Sequence, residues 1–161
     1  MKSYRDHYGL IVNAVVAVLM GLFMGTTVLL LHGTKINWVS LGEVWAKITL
    51  VVTFVLALMP LNEWGEKSAK MAGCRQGTIV FGLVANILPT IIINTILGAV
   101  LPAMDIFYNE AIPKEARMGE WVAAFLGDWI PTFIAAYFFS MLAAKIGGML
   151  ADRTLSSSCN K

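Results

Sequence analysis

An acidic and a basic side chain stand inside otherwise apolar stretches of the sequence. Asp128 comes eight residues after Glu120 in one stretch, and Lys47 lies near the beginning of another. A charge at the centre of a bilayer costs about 2.5–3.5 kcal/mol, so such residues face a partner or water, and many are functional. Asp128 therefore either pairs with Lys47 as a structural link or binds a proton or a cation. A third interpretation places it at the membrane interface.

Neutral polar residues form a second pattern. Asn86, Thr90 and Asn94 follow one another at a spacing of four residues, and Thr132 follows Asp128 at the same spacing. This spacing stacks side chains on one face of a helix. Amides and hydroxyls both donate and accept hydrogen bonds, so the stripe either ties helices together or lines a path. The candidate residues for binding a ligand or an ion are Asp128, Asn86, Thr90, Asn94, Thr132 and Lys47.

The elements that carry these residues are four long apolar runs. The chain of 161 residues is 58% hydrophobic and 14% charged, with a mean hydropathy of +0.72. Soluble domains average about 45–50% apolar and about 25% charged residues. Each run is long enough for a transmembrane helix, which needs about 17–25 residues. We predict an all-α membrane protein with spans at about 8–31, 44–61, 78–101 and 120–144, a loop at 61–77 and a short interfacial helix at 104–111.

The charges between the runs are unequal on the two sides of the predicted membrane. Eight cations share the side of the N-terminus, against three on the opposite side. The eight are Lys2, Arg5, Lys67, Lys70, Arg75, Lys145, Arg153 and Lys161. The positive-inside rule therefore predicts that both termini and the loop at 61–77 lie in the cytoplasm. We expect the protein to lie in a bacterial inner membrane. The lipid bilayer is its expected partner, and a net charge of only +2 indicates no nucleic acid.

The sequence also contains an internal repeat. Residues 9–13 (Gly-Leu-Ile-Val-Asn) return 73 positions later as residues 82–86 (Gly-Leu-Val-Ala-Asn), and Gly42-Glu43 returns as Gly119-Glu120. We therefore divide the chain into two helical hairpins, 1–77 and 78–161, the second of which ends in a short cytoplasmic tail. Because each hairpin crosses the membrane twice, the two copies are predicted to have the same orientation, as tandem parallel repeats.

Each half resembles a known family on a small set of residues. Residues 19–25 (Leu-Met-Gly-Leu-Phe-Met-Gly) are rich in glycine and methionine, and Trp45 begins the second run. In the second half the matching residues are Trp121, Trp129 and Pro131; the first half has no proline in the middle of its second run. The chain thus resembles a tandem copy of a family of short bacterial membrane proteins of unknown function, built from two transmembrane helices. The resemblance implies an architecture and no activity.

Small residues of the first run predict a packing face. Gly21 and Gly25 form a G-x-x-x-G motif, with Ala17 one step earlier, and such faces let helices approach closely. The face packs either inside the chain or against a second copy, which makes a homo-oligomer a hypothesis.

No catalytic motif is present in the sequence: it contains no H-E-x-x-H, nucleophile elbow or glycine-rich phosphate loop. We therefore predict no enzyme, no catalytic residue, no metal and no cofactor. The function expected is a small membrane transporter or channel for a small solute, a cation or a proton. The alternative is a non-transporting scaffold or regulatory subunit whose polar stripes pack against partner helices.

Overall fold

The structure, a computed structural model, describes the backbone of residues 2–34 and 36–159 and the side chains of 8–34 and 36–155. The described residues form five helices and no strand. The helices are α1 (Lys2–Leu31), α2 (Trp38–Leu58), α3 (Leu61–Met71), α4 (Ile79–Phe107) and α5 (Arg117–Cys159).

Four of these helices are long and apolar enough to cross a membrane, which confirms an all-helical chain with four candidate transmembrane helices. The candidate spans are Tyr8–Leu31, Trp38–Leu58, Ile79–Phe107 and Arg117–Leu155. The second begins earlier than predicted because Asn37 caps it. Its Oδ1 accepts the Ser40 N–H at 2.8 Å, and the Ser40 hydroxyl oxygen accepts the Asn37 N–H at 3.2 Å. Such reciprocal bonds satisfy amides that the first turn leaves unpaired.

The predicted loop at 61–77 is wrong over most of its length, because residues 61–71 form α3. Pro60 lacks an N–H and separates α3 from α2. The buried residues of α3 are Leu61, Gly65 and Ala69, which recur every four residues and form one face. That face packs on α4, where a Cβ on Gly65 would collide with the carbonyl oxygen of Ala85. Only a glycine allows the two backbones this close.

The predicted helix at 104–111 is also wrong. α4 continues through Pro102 to Phe107, and turns follow it. The Arg117 guanidinium stabilises this connection by donating to the backbone carbonyls of Phe107 at 2.8 Å and Asn109 at 3.0 Å. The expected tail is absent from the described residues, since α5 runs to Cys159; Asn160 and Lys161 lie outside them.

The four long helices form an incomplete ring. α1 packs against both α2 and α5, and α4 packs against α5, whereas α2 and α4 touch much less. Gly21 lies against Trp45 and Thr49 of α2, and the Trp45 indole N–H donates to the carbonyl of Val18 at 3.1 Å. The G-x-x-x-G face is therefore used within the chain. The buried apolar core inside the ring includes Ala17, Met20, Met24, Ile48, Val52, Ile93, Leu97 and Ala136.

We expect Gly65→Ala to separate α3 from α4, because the new methyl group has no space beside Ala85. Overpacking of this kind costs about 1–3 kcal/mol. The variant should unfold at a lower temperature in detergent and be cleaved faster by trypsin after Lys67 and Lys70. Gly82→Ala is the matched control, because a Cβ at position 82 meets no atom within 4 Å. Equal cleavage rates in the two variants would contradict the close packing of α3 on α4.

Candidate functional site

A cavity of about 210 Å³ lies among the four long helices at the end of the bundle where α1 stops and α2 begins. We call it the aspartate cavity, because Asp105 of α4 and Asp128 of α5 both line it. Its other polar lining residues are His32, Asn94 and Thr132. Its apolar lining includes Met24, Val28, Ile48, Leu97, Leu101 and Ile106. Asn94 and Met24 are buried, whereas His32 and Asp105 are exposed, so the latter two mark the mouth.

Asp128 pairs with a residue other than the predicted one. Its Oδ2 lies 2.7 Å from Nε2 of His32, the residue that follows the last residue of α1. The Asp128 side chain is 28% exposed and that of His32 is 50% exposed. Asp128 is eleven residues inside α5, or about 16 Å along the helix axis from its start. The His32–Asp128 pair thus links α1 to α5 at the cavity.

Lys47 has two carboxylate partners, and the predicted Lys47–Asp128 pair is wrong. Lys47 Nζ lies 2.8 Å from Glu43 Oε1, one helical turn earlier in α2, and 2.8 Å from Asp105 Oδ1 of α4. The physical reason is the order of the ring. α2 and α5 both pack on α1 and barely touch each other, so Lys47 meets α4 across the gap in the ring instead.

Two polar contacts therefore lie beside the aspartate cavity. The His32–Asp128 hydrogen bond joins the end of α1 to α5, and the Lys47–Asp105 salt bridge joins α2 to α4. Both contacts connect the first hairpin, α1 with α2, to the second hairpin, α4 with α5. They add to the packing of α1 on α5 at this end of the bundle.

The neutral polar residues mostly connect α4 to α5. Asn86 Nδ2 donates to Ser140 Oγ at 2.7 Å, and Asn94 Nδ2 donates to the carbonyl of Trp129 at 3.0 Å. The Thr90 hydroxyl donates to the carbonyl of Asn86 in its own helix at 2.7 Å and also lies 3.4 Å from Ser140 Oγ of α5. The Thr132 hydroxyl donates to the carbonyl of Asp128 in its own helix at 2.6 Å. The stripe therefore ties the second hairpin together, while Asn94 and Thr132 also reach the aspartate cavity.

A second, smaller cavity of about 70 Å³ lies further along the same bundle. We call it the asparagine cavity, because Asn13, Asn62 and Asn86 line it together with Thr90 and Ser140. Each of the four long helices lines both cavities with successive parts of its length. In α1, for example, residues 12–20 line the asparagine cavity and residues 24–32 line the aspartate cavity. The two cavities are therefore stacked along the bundle axis.

Buried apolar side chains separate the two cavities. We call this layer the septum; its members are Met20, Met24, Val52, Ile93 and Ala136, none of which is more than 6% exposed. Met20 lines one cavity and Met24 the other, four residues apart on α1. The septum is thus about one helical turn thick, or about 6 Å.

His32 is the member of the site that the sequence did not identify. It is separated from Asp128 by 96 positions and stands at the end of a predicted span rather than inside one. One sequence feature was consistent with this contact. His32 follows the predicted span 8–31, and Asp128 lies near the start of the predicted span 120–144, so both are predicted near the same side of the membrane. No spacing rule connects an end residue of one helix to an inner residue of another.

The chain matches no family model, no curated protein and no solved structure. The site must therefore be interpreted from its own chemistry. Carboxylate and imidazole both bind and release protons, and a carboxylate also attracts other cations. In a mostly apolar cavity, the Asp128 carboxylate is the group with the strongest interaction to offer a positively charged guest.

Double-mutant cycles test which residues pair. We expect His32→Gln and Asp128→Asn to be non-additive in the free energy of unfolding, with a coupling of about 0.5–3 kcal/mol as for residues in contact. Lys47→Met and Asp128→Asn should be additive within about 0.5 kcal/mol, since each has other partners. Chemical unfolding in mixed micelles gives both values. The reverse result would restore the Lys47–Asp128 pair.

Proposed function

We propose that this protein is a small integral membrane transporter or channel for a small solute, a cation or a proton. The stacking of two cavities along one bundle, with the hydrogen-bonded His32 and Asp128 in the larger one, is the observation that carries the proposal. A route across the bundle needs polar space at both ends and a barrier between them, and the septum is such a barrier. Asp128 is the proposed binding group, and Asn94 and Thr132 lie next to it on the cavity wall.

The proposal includes an orientation. The excess of cations on the side of the N-terminus favours cytoplasmic termini, and the proposed membrane is a bacterial inner membrane. In that orientation the aspartate cavity opens to the outside and the asparagine cavity lies toward the cytoplasm. The acidic residues that line this cavity, Asp105 and Asp128, would then attract external cations.

The hairpins themselves are proposed to be tandem parallel repeats. Each pairs a first helix with the next long helix, α1 with α2 and α4 with α5, which is the arrangement that a duplicated hairpin would have. The resemblance of each half to the family of two-helix bacterial membrane proteins belongs to the same proposal. A homo-oligomer stays a prediction, and it now rests on the small number of helices alone, because Gly21 and Gly25 pack inside the chain.

A non-transporting scaffold or regulatory subunit is the second candidate. It is favoured by the hydrogen bonds of Asn86 and Asn94, which join α4 to α5 as structural contacts do. Hydrogen bonds between side chains of membrane helices contribute about 0.6 kcal/mol each to stability on average. This contribution does not depend on transport. The two candidates differ at the aspartate cavity, where only transport requires a solute or ion to reach Asp128.

We expect Asp128→Asn to reduce flux at least about tenfold, equivalent to about 1.4 kcal/mol, and to impair assembly less. The measurement is dye-reported flux into proteoliposomes under imposed proton, sodium or potassium gradients. Asp152→Asn is the matched control, because Asp152 is an exposed aspartate of the same helix that lines neither cavity. Full flux in Asp128→Asn would exclude a transport role for Asp128. The absence of flux from the unmodified protein under every gradient would favour the scaffold.

A further inference from the structure

We propose that the aspartate cavity binds a small organic cation with an apolar body, such as a monocyclic primary ammonium ion. The inference rests on the proposed function and makes it specific, because it names the class of guest. It depends on three properties of the cavity: its charge, its apolar wall and its size.

The charge at the mouth favours a positively charged guest. Two carboxylates line the cavity, those of Asp105 and Asp128, together with the imidazole of His32 and, among the described residues, no ammonium or guanidinium group. Lys47 is shared between Glu43 and Asp105, so its positive charge is already compensated. A cation entering the cavity therefore meets a net negative potential, whereas an anion is repelled.

The wall of the cavity disfavours a bare metal ion. Calcium takes six to eight oxygen ligands and magnesium near-octahedral oxygen coordination. The described part of the chain contains no group of three acidic, histidine or cysteine side chains able to hold a metal. Most of the lining is aliphatic instead, as at Leu97, Leu101 and Ile106. Burial of an apolar guest surface against such a wall contributes about 25 cal/mol of favourable free energy for each Å² that is removed from water.

The size of the cavity fits a molecule with a single ring. An apolar cavity of about 150 Å³ in another protein binds benzene. At about 210 Å³, the aspartate cavity has space for a ring with a short aminomethyl arm. The ring would lie against the leucines of α4, and the ammonium group would reach the Asp128 carboxylate.

His32 would be displaced in this complex. It follows the last residue of α1, outside the helix, and half of its side chain is exposed. Its ring can therefore leave Asp128 without breaking a helical hydrogen bond. The guest ammonium then replaces the imidazole as the partner of Asp128, so that the carboxylate is paired both before and after binding.

A series of ligands tests the proposal on the intact protein in detergent, by isothermal titration and thermal shift. We expect benzylamine and cyclohexylmethylamine to bind and to raise the unfolding temperature. Benzyl alcohol, benzoate, methylamine and sodium ions should bind at least about tenfold more weakly, since each lacks either the positive charge or the apolar body. Equal binding of benzyl alcohol and benzylamine would overturn the proposal.

Two variants locate the site. Asp128→Asn should weaken benzylamine binding at least about tenfold, and the control Asp152→Asn should change it less than about twofold. Ala124→Leu, which fills part of the cavity from α5, should weaken both benzylamine and cyclohexylmethylamine. Unchanged benzylamine affinity in Asp128→Asn would overturn the assignment even if Ala124→Leu failed to fold.

The outcome is separable from that of the proposed function. Asp128-dependent flux of protons or sodium ions, without benzylamine binding, would leave the transport proposal in place and overturn this one. Benzylamine binding that depends on Asp128, without any flux, would do the opposite: the cavity would be a binding site in a protein that does not transport.

Discussion

The need of the Asp128 carboxylate for a partner inside an apolar helix determines how one end of this bundle is built. An isolated charge at that position would cost several kcal/mol, and the chain offers it His32 from the opposite hairpin. This requires α1 to stop at the level of Asp128, which it does at Leu31. The connection to α2 then places Lys47 opposite Asp105. The aspartate cavity lies beside these two contacts.

The two helices of each hairpin contact each other mainly in different ways. In the first hairpin, Gly21 lets α1 approach α2 until its backbone touches the side chains of Trp45 and Thr49, and the Trp45 indole N–H adds one hydrogen bond to the carbonyl of Val18. In the second, polar side chains such as Asn86 and Asn94 bond across the interface of α4 and α5. Close packing and hydrogen bonding are the two forces that associate helices in lipid. The second hairpin is therefore the one whose interface provides most of the polar groups near the two cavities.

Much of the fold could be predicted from the sequence, because long apolar runs have few alternatives to membrane helices. What could not be predicted depends on contacts between distant segments. α3 has a polar composition, and its packing depends on Gly65 meeting the Ala85 carbonyl, which no local pattern encodes. Likewise, Asp128 was recognisable as an unusual residue, but its partner depends on which helices are neighbours in the ring. The sequence placed Lys47 at about the same depth in the membrane as Asp128. In the structure, however, α1 lies between α2, which carries Lys47, and α5, which carries Asp128.

One polar stripe both joins helices and lines the two cavities on either side of the septum. Asn86 and Thr90 line one cavity and Asn94 the other, while Ile93, between them in sequence, belongs to the barrier. Their hydrogen bonds to α5 fix the spacing of α4 and α5 on both sides of that barrier. The side of the septum that belongs to the first hairpin consists of Val52 and of Met20 and Met24, whose unbranched side chains change rotamer more easily than branched ones. If the protein transports a solute as proposed, a rotamer change of these methionines opens the septum without breaking any hydrogen bond of the second hairpin.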